Sequence, residues 1–460
     1  MAPPNFVFIL LDDMGWTDLG CYGSSFYETP HLDRLAAEGM RFTDAYAACP
    51  VCSPTRASLL TGKYPATLQI TNYLVGEARG RLLSAPYLHA LPHGETTLAT
   101  ALREGGYATW HVGKWHLGAE ETDWPEHHGF EANVGGWKAG CPRSYWSPYQ
   151  NPRLEDGPEG EYLTDRLTDE AIELIRGSDG RPFYLNLCYY AVHVPIQGKP
   201  ELVEKYRAKA AALGLDRRDP FEVGEHFPCE HKRDGRVIRR RFQSDPAYAA
   251  MVQTVDANVG RLLAALEQAG VADNTVVVFT SDNGGLATAE GSPTCNAPLN
   301  EGKGWMYEGG TREPMLVRWP GVTAPDSLCR VPITSSDLYP TFLEIAGLAP
   351  RPGQHRDGVS FAPLLRGAGR LDREAIFWHY PHYANQGGRP GCSVRSGDYK
   401  LIEFFEDRRV ELYNLREDVG ETHDLARENT AMTEHLRGLL HDWLQRSGAK
   451  IPQPNPDWTE

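Results

Sequence analysis

The run Cys52-Ser53-Pro54-Thr55-Arg56 puts a nucleophilic side chain at what reads as the start of a helix. Ser53 suits the N-cap and Pro54 the first helical position, because a hydroxyl can accept from an orphan backbone N–H and proline has none to offer. Cys52 would then lie where backbone N–H groups and the helix dipole favour an anion, with Arg56, one turn on, reaching back toward it. Taken alone, the run reads equally well as a plain capped helix with a buried thiol. Cys49 and Cys52 also have C-x-x-C spacing, a redox or metal pattern, but Pro54 and Arg56 point elsewhere. More polar chemistry follows apolar runs: Asp12-Asp13, Gly113-Lys114-Trp115-His116, His193, and Asp282-Asn283. Singly, each is more simply a turn, a cap or a solvated charge. Together, at strand ends, they are not.

The elements that must position these residues alternate in type. Phe6 to Leu11, Ala108 to Val112, Phe183 to Tyr190, Val276 to Thr280 and Met315 to Val317 read as buried strands. Between them, Leu32 to Glu38, Thr97 to Glu104, Leu163 to Arg176 and Ala247 to Gln268 carry apolar residues at three- and four-residue steps. The pattern predicts an α/β sandwich with a mainly parallel central sheet flanked by helices, whose carboxyl edge would gather residues distant in sequence. Residues 351–373, rich in Pro, Gly and Arg, read as a linker between a domain at 1–350 and a smaller α+β domain at 374–460. In the latter, Ile376 to Tyr380, Ser393 to Arg395, Tyr399 to Phe404 and Val410 to Tyr413 predict an antiparallel meander turning at Ser396-Gly397-Asp398, then a helix from Thr430 to Gln445.

The segment from Cys52 to Gly62 resembles the signature C-x-P-x-R…Leu-Thr-Gly of the formylglycine-dependent sulfatases, in the alkaline-phosphatase-like superfamily. Asp12-Asp13, the Gly113–His116 run, Ala191-Val192-His193-Val194-Pro195, Ser281-Asp282-Asn283-Gly284 and Gly302-Lys303 agree in order. The likeness extends through Glu308–Pro314 and Glu411–Leu415, most of both domains. One departure is Ala-Val-His at 191–193, where many relatives have Ala-Pro-His.

The resemblance implies that Cys52 is oxidised to formylglycine by a maturase and that Asp12, Asp13, Asp282 and Asn283 bind one calcium ion. Three carboxylates and an amide suit that hard cation, and the lack of clustered His and Cys argues against zinc. It further implies attack on sulfur by hydrated formylglycine, then expulsion of sulfate as the aldehyde re-forms. Sulfate esters demand neutralised charge at sulfur and at the leaving oxygen. Accordingly Lys114 and Lys303 are expected on the sulfate oxygens, Arg56 on residue 52, His116 in the base step, and His193 at the leaving group, where it and Lys303 could exchange roles. Candidate pocket residues are His89, Trp137, Arg143, Tyr145, Trp146, His379, His382 and Tyr383, with aromatics to stack on a sugar and Arg143 to pair a second anion, though most such residues serve packing or surface; Arg312 is as suited to supporting its loop as to touching substrate. The expected substrate is a terminal sulfated sugar. Aryl sulfates, phosphodiesters or phosphonate monoesters, and an unmodified anion-binding protein are the alternatives.

Composition bounds these readings. Lys and Arg number 46 against 61 Asp and Glu, a net charge of −15 that disfavours nucleic acid and anionic membranes, so an anionic substrate needs a local cluster of cations or a metal. No apolar run approaches the ~20 residues of a membrane span, and the strand-like segment near Met1 leaves no room for a signal peptide. The expectation is a cytoplasmic protein, or a periplasmic or secreted one if a leader has been trimmed. Nine scattered cysteines lack the spacing of a zinc ribbon or a disulfide scaffold. Oligomeric state is not legible.

Overall fold

A computed structural model describes residues 3–459. Nine strands form the central sheet: β1 (Asn5–Leu11), β2 (Met40–Tyr46), β3 (Ala108–Gly113), β4 (Ala132–Val134), β5 (Phe183–Cys188), then, after a separate exposed hairpin of β6 (Phe221–His226) and β7 (Arg236–Arg240), β8 (Thr275–Ser281), β9 (Arg312–Arg318), β10 (Ser327–Cys329) and β11 (Ile333–Thr334). Their order is β10-β2-β9-β8-β1-β5-β3-β4, with β11 also on β2. All pairings are parallel except those of β9, which runs antiparallel between β8 and β2.

Strand β1, Asn-Phe-Val-Phe-Ile-Leu-Leu, is buried throughout. A strand covered on both faces has no solvent side to keep polar, hence its unbroken apolar run. Val7, Ile9 and Leu11 join a core with the helices Leu163–Arg176 and Pro246–Gln268, while Phe6, Phe8 and Leu10 join one with Cys52–Thr61, Leu98–Glu104 and Leu338–Ile345. This is the predicted α/β sandwich. Two local expectations need correction. Phe183 to Tyr190 leaves the ladder after Cys188, and Tyr189 and Tyr190 begin the loop to His193. Ser53 is not the N-cap: the helix begins at Cys52 after Val51, and the Ser53 hydroxyl donates to the His116 carbonyl (2.9 Å).

The second sheet is antiparallel, in the order β12 (Ile376–Tyr380), β13 (Gly391–Ser396), β14 (Tyr399–Phe404), β15 (Val410–Asn414). Gly397, at φ 57°, makes the predicted turn between Ser396 and Tyr399. Helix Thr430–Ser447 lays Leu436, Leu440 and Trp443 on this sheet, a four- and three-residue spacing that keeps them on one face. Phe361, Leu364 and Leu365, in the segment joining the sheets, are buried in the core of the large sheet.

Candidate active site

Register brings the first acids together. Leu11 pairs with Ser281 across β1 and β8, so Asp12 and Asp282 leave adjacent strand ends, the Asp282 N–H donating to Leu11 O (3.1 Å). On the other side, the Lys114 N–H donates to Cys188 O (2.7 Å) as the chain leaves β3. Gly113 permits this crossing: it has φ 101°, and a Cβ there would lie 2.0 Å from the Cys188 oxygen. His193 follows β5, and the Val192 N–H donates to Asp12 O (2.8 Å). Asp13 (φ 64°) and His116 (φ 58°) hold left-handed backbone, uncommon outside glycine and frequent where geometry serves a site.

The side chains converge in a buried cluster. Lys114 Nζ lies 2.6 Å from Asp12 Oδ2 and Lys303 Nζ 2.8 Å from Asp13 Oδ2, while Arg56 Nε donates to Asp282 Oδ2 (2.8 Å). Arg56 also donates to the Lys114 carbonyl (3.2 Å), so it ties the helix of Cys52 to the end of β3 rather than curling back on Cys52 alone. Lys303 Nζ is 2.9 Å from His193 Nε2, whose Nδ1 faces Val194 O at 3.0 Å. With Nδ1–H donated to that carbonyl, Nε2 is free to accept. Cys52 Sγ is 3.3 Å from His116 Nδ1. Gly140 is confined beside this imidazole, a Cβ there falling 2.5 Å from Cε1.

Burial dominates the electrostatics. It pushes Asp12 up despite Lys114, whereas at Asp13 Lys303 and His193 overcome burial and hold the carboxyl low. Burial and Lys303 drive His193 down to about 3, and burial with Lys114 drives His116 well below its usual value, so both rings are neutral. Asp12 Oδ1 and Asn283 Oδ1 are buried and find no hydrogen-bond partner among the described residues. Orphaned oxygens beside further carboxylates fit a hard divalent cation, and ligand atoms of Asp12, Asp13 and His193 lie within 4.8 Å of one another.

Thus all ten residues expected for metal and chemistry, Asp12, Asp13, Cys52, Arg56, Lys114, His116, His193, Asp282, Asn283 and Lys303, are linked in one neighbourhood. The expected pocket residues scatter. Trp137 adjoins the cluster through its carbonyl, which accepts from the His116 N–H (3.2 Å). Buried Tyr145 donates to Tyr190 O (2.7 Å) and His193 O (2.9 Å), fixing the His193 loop from behind. Trp146 packs on Tyr162, and exposed Arg143 bonds Gln150 (2.6 Å). Arg312 pairs with Asp44 and Glu308, and His379 with the Lys450 carbonyl (3.0 Å). His382 is bonded on both ring nitrogens, by Thr71 and Ser84 at 2.8 Å each, while the Tyr383 hydroxyl meets Glu406 (2.6 Å). These side chains are spent on internal partners. His89 is exposed and stacked on Tyr87.

Two neighbours carried no signal in the sequence. Glu313 on β9 is buried with neither oxygen hydrogen-bonded among the described residues, and burial beside Asp282 and Asp13 pushes its carboxyl well up. Burial, and then the charge of Glu290, push the half-buried Tyr73 hydroxyl up. Neither stands at a strand's carboxyl end, and Glu313, although inside the Glu308–Pro314 run, was not singled out there.

A sandwich that gathers acids, cations and a nucleophile at one sheet edge is the architecture of hydrolases that act on ester-bound anions. The sulfatase family profile matches residues 4–348, and that of the C-terminal part of N-sulphoglucosamine sulphohydrolase matches 301–448. The chain is 37% identical over 411 residues to human arylsulfatase A, covering 87% of this chain and 75% of that one. It is 32% identical over 546 residues to a sulfatase of Formosa agariphila, covering 99% and 93%. The crystal structure of Ps i-CgsB in complex with k-i-k-neocarrahexaose superposes with a TM-score of 0.78 at 28% identity, over 99% of this chain and 94% of that one. The chain therefore belongs to the sulfatase family and is a sulfuric ester hydrolase.

Proposed function

We propose that this enzyme removes sulfate from the terminal unit of a sulfated saccharide, with residue 52 as nucleophile once its thiol is oxidised to formylglycine. The observation that carries this is Cys52, buried and in contact with His116, in the same cluster as two ammonium groups and the two orphaned oxygens. Asp12, Asp13, Asp282 and Asn283 would hold calcium, which supplies Lewis-acid stabilisation of charge on the sulfate oxygens. Lys114 and Lys303 would turn from Asp12 and Asp13 toward those oxygens, and Arg56, anchored on Asp282, fixes the helix that presents residue 52. His116 Nδ1 is placed to take a proton from a hydroxyl at position 52. Lys303 already donates toward neutral His193 Nε2, which supports Lys303 and His193 as the pair that delivers a proton to the leaving oxygen.

A nucleophile so deeply buried favours a sulfated unit that enters end-first. The saccharide reading is supported by the hexaose bound to Ps i-CgsB and by an N-acetylgalactosamine-6-sulfatase of Rattus norvegicus at 33% identity over 86% of this chain. The test is co-expression with a formylglycine-generating maturase, peptide mass spectrometry over residue 52, and sulfate release from a panel of sulfated mono- and disaccharides beside aryl sulfates and phosphodiesters. Active protein that holds only free thiol, or turnover dominated by phosphodiesters, overturns the proposal.

A further inference from the structure

An open cleft of about 1040 Å³ runs along the loop 73–89. Tyr73 lines it. The Tyr73 hydroxyl accepts from Asn385 Nδ2 (2.9 Å) on the opposite wall. Asn385 belongs to a turn seated directly on the residue after Lys303: a Cβ at Gly304 would fall 2.7 Å from Ala384 Cβ and 2.8 Å from Gln386 Oε1. The cleft therefore adjoins the segment that carries Lys303, and its shape is built in. Buried His382 bridges Thr71 and Ser84 and so clamps both ends of the loop, while the Tyr87 hydroxyl donates to the carbonyls of Tyr73 (3.2 Å) and Gly76 (3.3 Å).

Its chemistry differs from that of the catalytic floor. Tyr87 and exposed His89 stack at 4.5 Å with 20° between their planes, a rigid flat wall of the kind that packs against a sugar ring. Among the described residues lining the cleft, Arg79 is the one permanently charged cation, and it is already paired with Glu230 at 2.7 Å. Glu77 has no such partner in the lining, so the fixed charges there sum to a slight negative. Among the lining residues a flanking sulfate would meet no unpaired arginine or lysine and an unneutralised carboxylate, the neighbouring Lys232 ammonium being engaged by the Asn385 carbonyl (3.0 Å). The volume reaches the top of the roughly 300–1,000 Å³ typical of small-molecule sites, which is room for more than one ring.

Building on the saccharide sulfatase reading, we infer that this cleft is a subsite for uncharged sugar units flanking the sulfated terminal one, selecting sparsely sulfated oligosaccharides over densely sulfated chains. The probes are hexasaccharides of galactan and of N-acetylgalactosamine-containing backbones, carrying either one terminal sulfate or one on every ring, beside the matching sulfated monosaccharides. Monosaccharide turnover reports on the sulfatase reading, and the ratio of hexasaccharide to monosaccharide kcat/KM reports on the cleft. Calorimetric binding of the same probes to Cys52→Ala protein reads the cleft even where turnover is nil. The singly sulfated hexasaccharide is expected to exceed the monosaccharide by about tenfold, and the fully sulfated one to show no such gain. His89→Ala should lower the ratio about fivefold, and Glu77→Lys should shift preference toward the fully sulfated chain. Both residues are exposed, so these variants are expected to fold. Equal binding of hexa- and monosaccharide, a preference for the fully sulfated chain in the parent protein, or ratios that neither substitution moves would overturn the inference.

Discussion

Two buried charge clusters in this protein share the same arithmetic. At the edge of the large sheet, Asp12, Asp13 and Asp282 face Lys114, Lys303 and Arg56. Between the two sheets, Glu308, Glu421 and Asp44 face Lys400, Arg312 and Arg395. Even the protonation pattern repeats. Burial pushes Asp12 and Glu421 up, whereas Lys303 overcomes burial to hold Asp13 low and Lys400 does the same for Glu308. Perturbed acids alone do not distinguish a site from a strut. What separates the clusters is what else reaches them. The first has a thiol against a neutral imidazole and two orphaned oxygens on Asp12 and Asn283, whereas in the second the Glu421 Oε1 that lacks a hydrogen bond still lies 3.0 Å from the Lys400 ammonium. The second is sealed by Tyr46, whose hydroxyl donates to Glu308 Oε2 (2.7 Å) and whose ring lies under both arginines.

Removing one group from each cluster should therefore damage different properties. Cys52→Ala should drop sulfate-ester turnover by on the order of 10⁴-fold or more, with a thermal midpoint close to the parent's. Sulfate release and a melting curve on the same sample decide it, and turnover within tenfold of the parent would remove Cys52 from the chemistry. Lys400→Met should do the reverse. It strands Glu308, fully buried and held in its ionised form chiefly by the Lys400 ammonium, at a cost of about 3–5 kcal/mol. Below its lowered melting temperature the folded fraction should turn over substrate normally, and adding Glu308→Gln and Glu421→Gln should recover part of the stability. A folded Lys400→Met protein with no turnover would make the second cluster a working part of the site.

The sequence showed one of these clusters and hid the other for a physical reason. Asp12, Lys114 and Asp282 each follow a strand whose apolar run is unmistakable, and a parallel sheet delivers successive strand ends to the same edge. Arg312, Glu308 and Lys400 meet only because β14 docks against the start of β9, a tertiary event with no local signal, so the sequence left Arg312 between loop support and substrate contact. Helix Pro246–Gln268 was legible from its periodicity, with Val255, Val259, Leu262 and Leu266 all buried. Strand β2 was not, because Arg41, Thr43 and Asp44 interrupt its apolar residues and resemble a loop. In the hairpin, β6 is largely exposed and carries only Phe221 and Val223 in alternation, and β7 has just Val237 and Ile238 among arginines, too short a pattern to read as a strand. His379 and His382 illustrate the same limit: histidine's chemistry is visible in sequence, but not the Lys450 carbonyl or the two hydroxyls that absorb it.

A cation should also discriminate. Calcium at about 100 times its dissociation constant stabilises a folded protein by about 2.7 kcal/mol. Chelation should therefore lower both the melting temperature and turnover of the parent enzyme, and added calcium should restore them. Asp282→Asn should blunt the thermal response to calcium, whereas Lys400→Met should keep it in full on a lower baseline. Scanning fluorimetry with and without calcium compares the two variants directly, and an equal calcium response in parent and Asp282→Asn protein would remove Asp282 from the ligand set.

The smallest effect lies in the acid dependence of the sealed cluster, where the two carboxyls pull in opposite directions. Burial opposes ionisation of Glu308, but Lys400 and Arg312 prevail and its folded pKa falls below the ordinary 4.5. Its contribution is then present above that value and lost as pH falls through the depressed folded pKa. Glu421 is raised, chiefly by burial, so its contribution is present below 4.5 and fades as pH rises through the raised folded value. The stability gap between parent and Glu308→Gln protein should thus narrow on acidification, and the gap for Glu421→Gln should narrow on the alkaline side, each by at most about 1.4 kcal/mol per pH unit. Urea midpoints from acid to mildly alkaline pH measure both gaps. Slopes of the same sign would mean that the two carboxyls share one environment, and the sealed cluster would then lack the division of charge that Lys400 imposes on it.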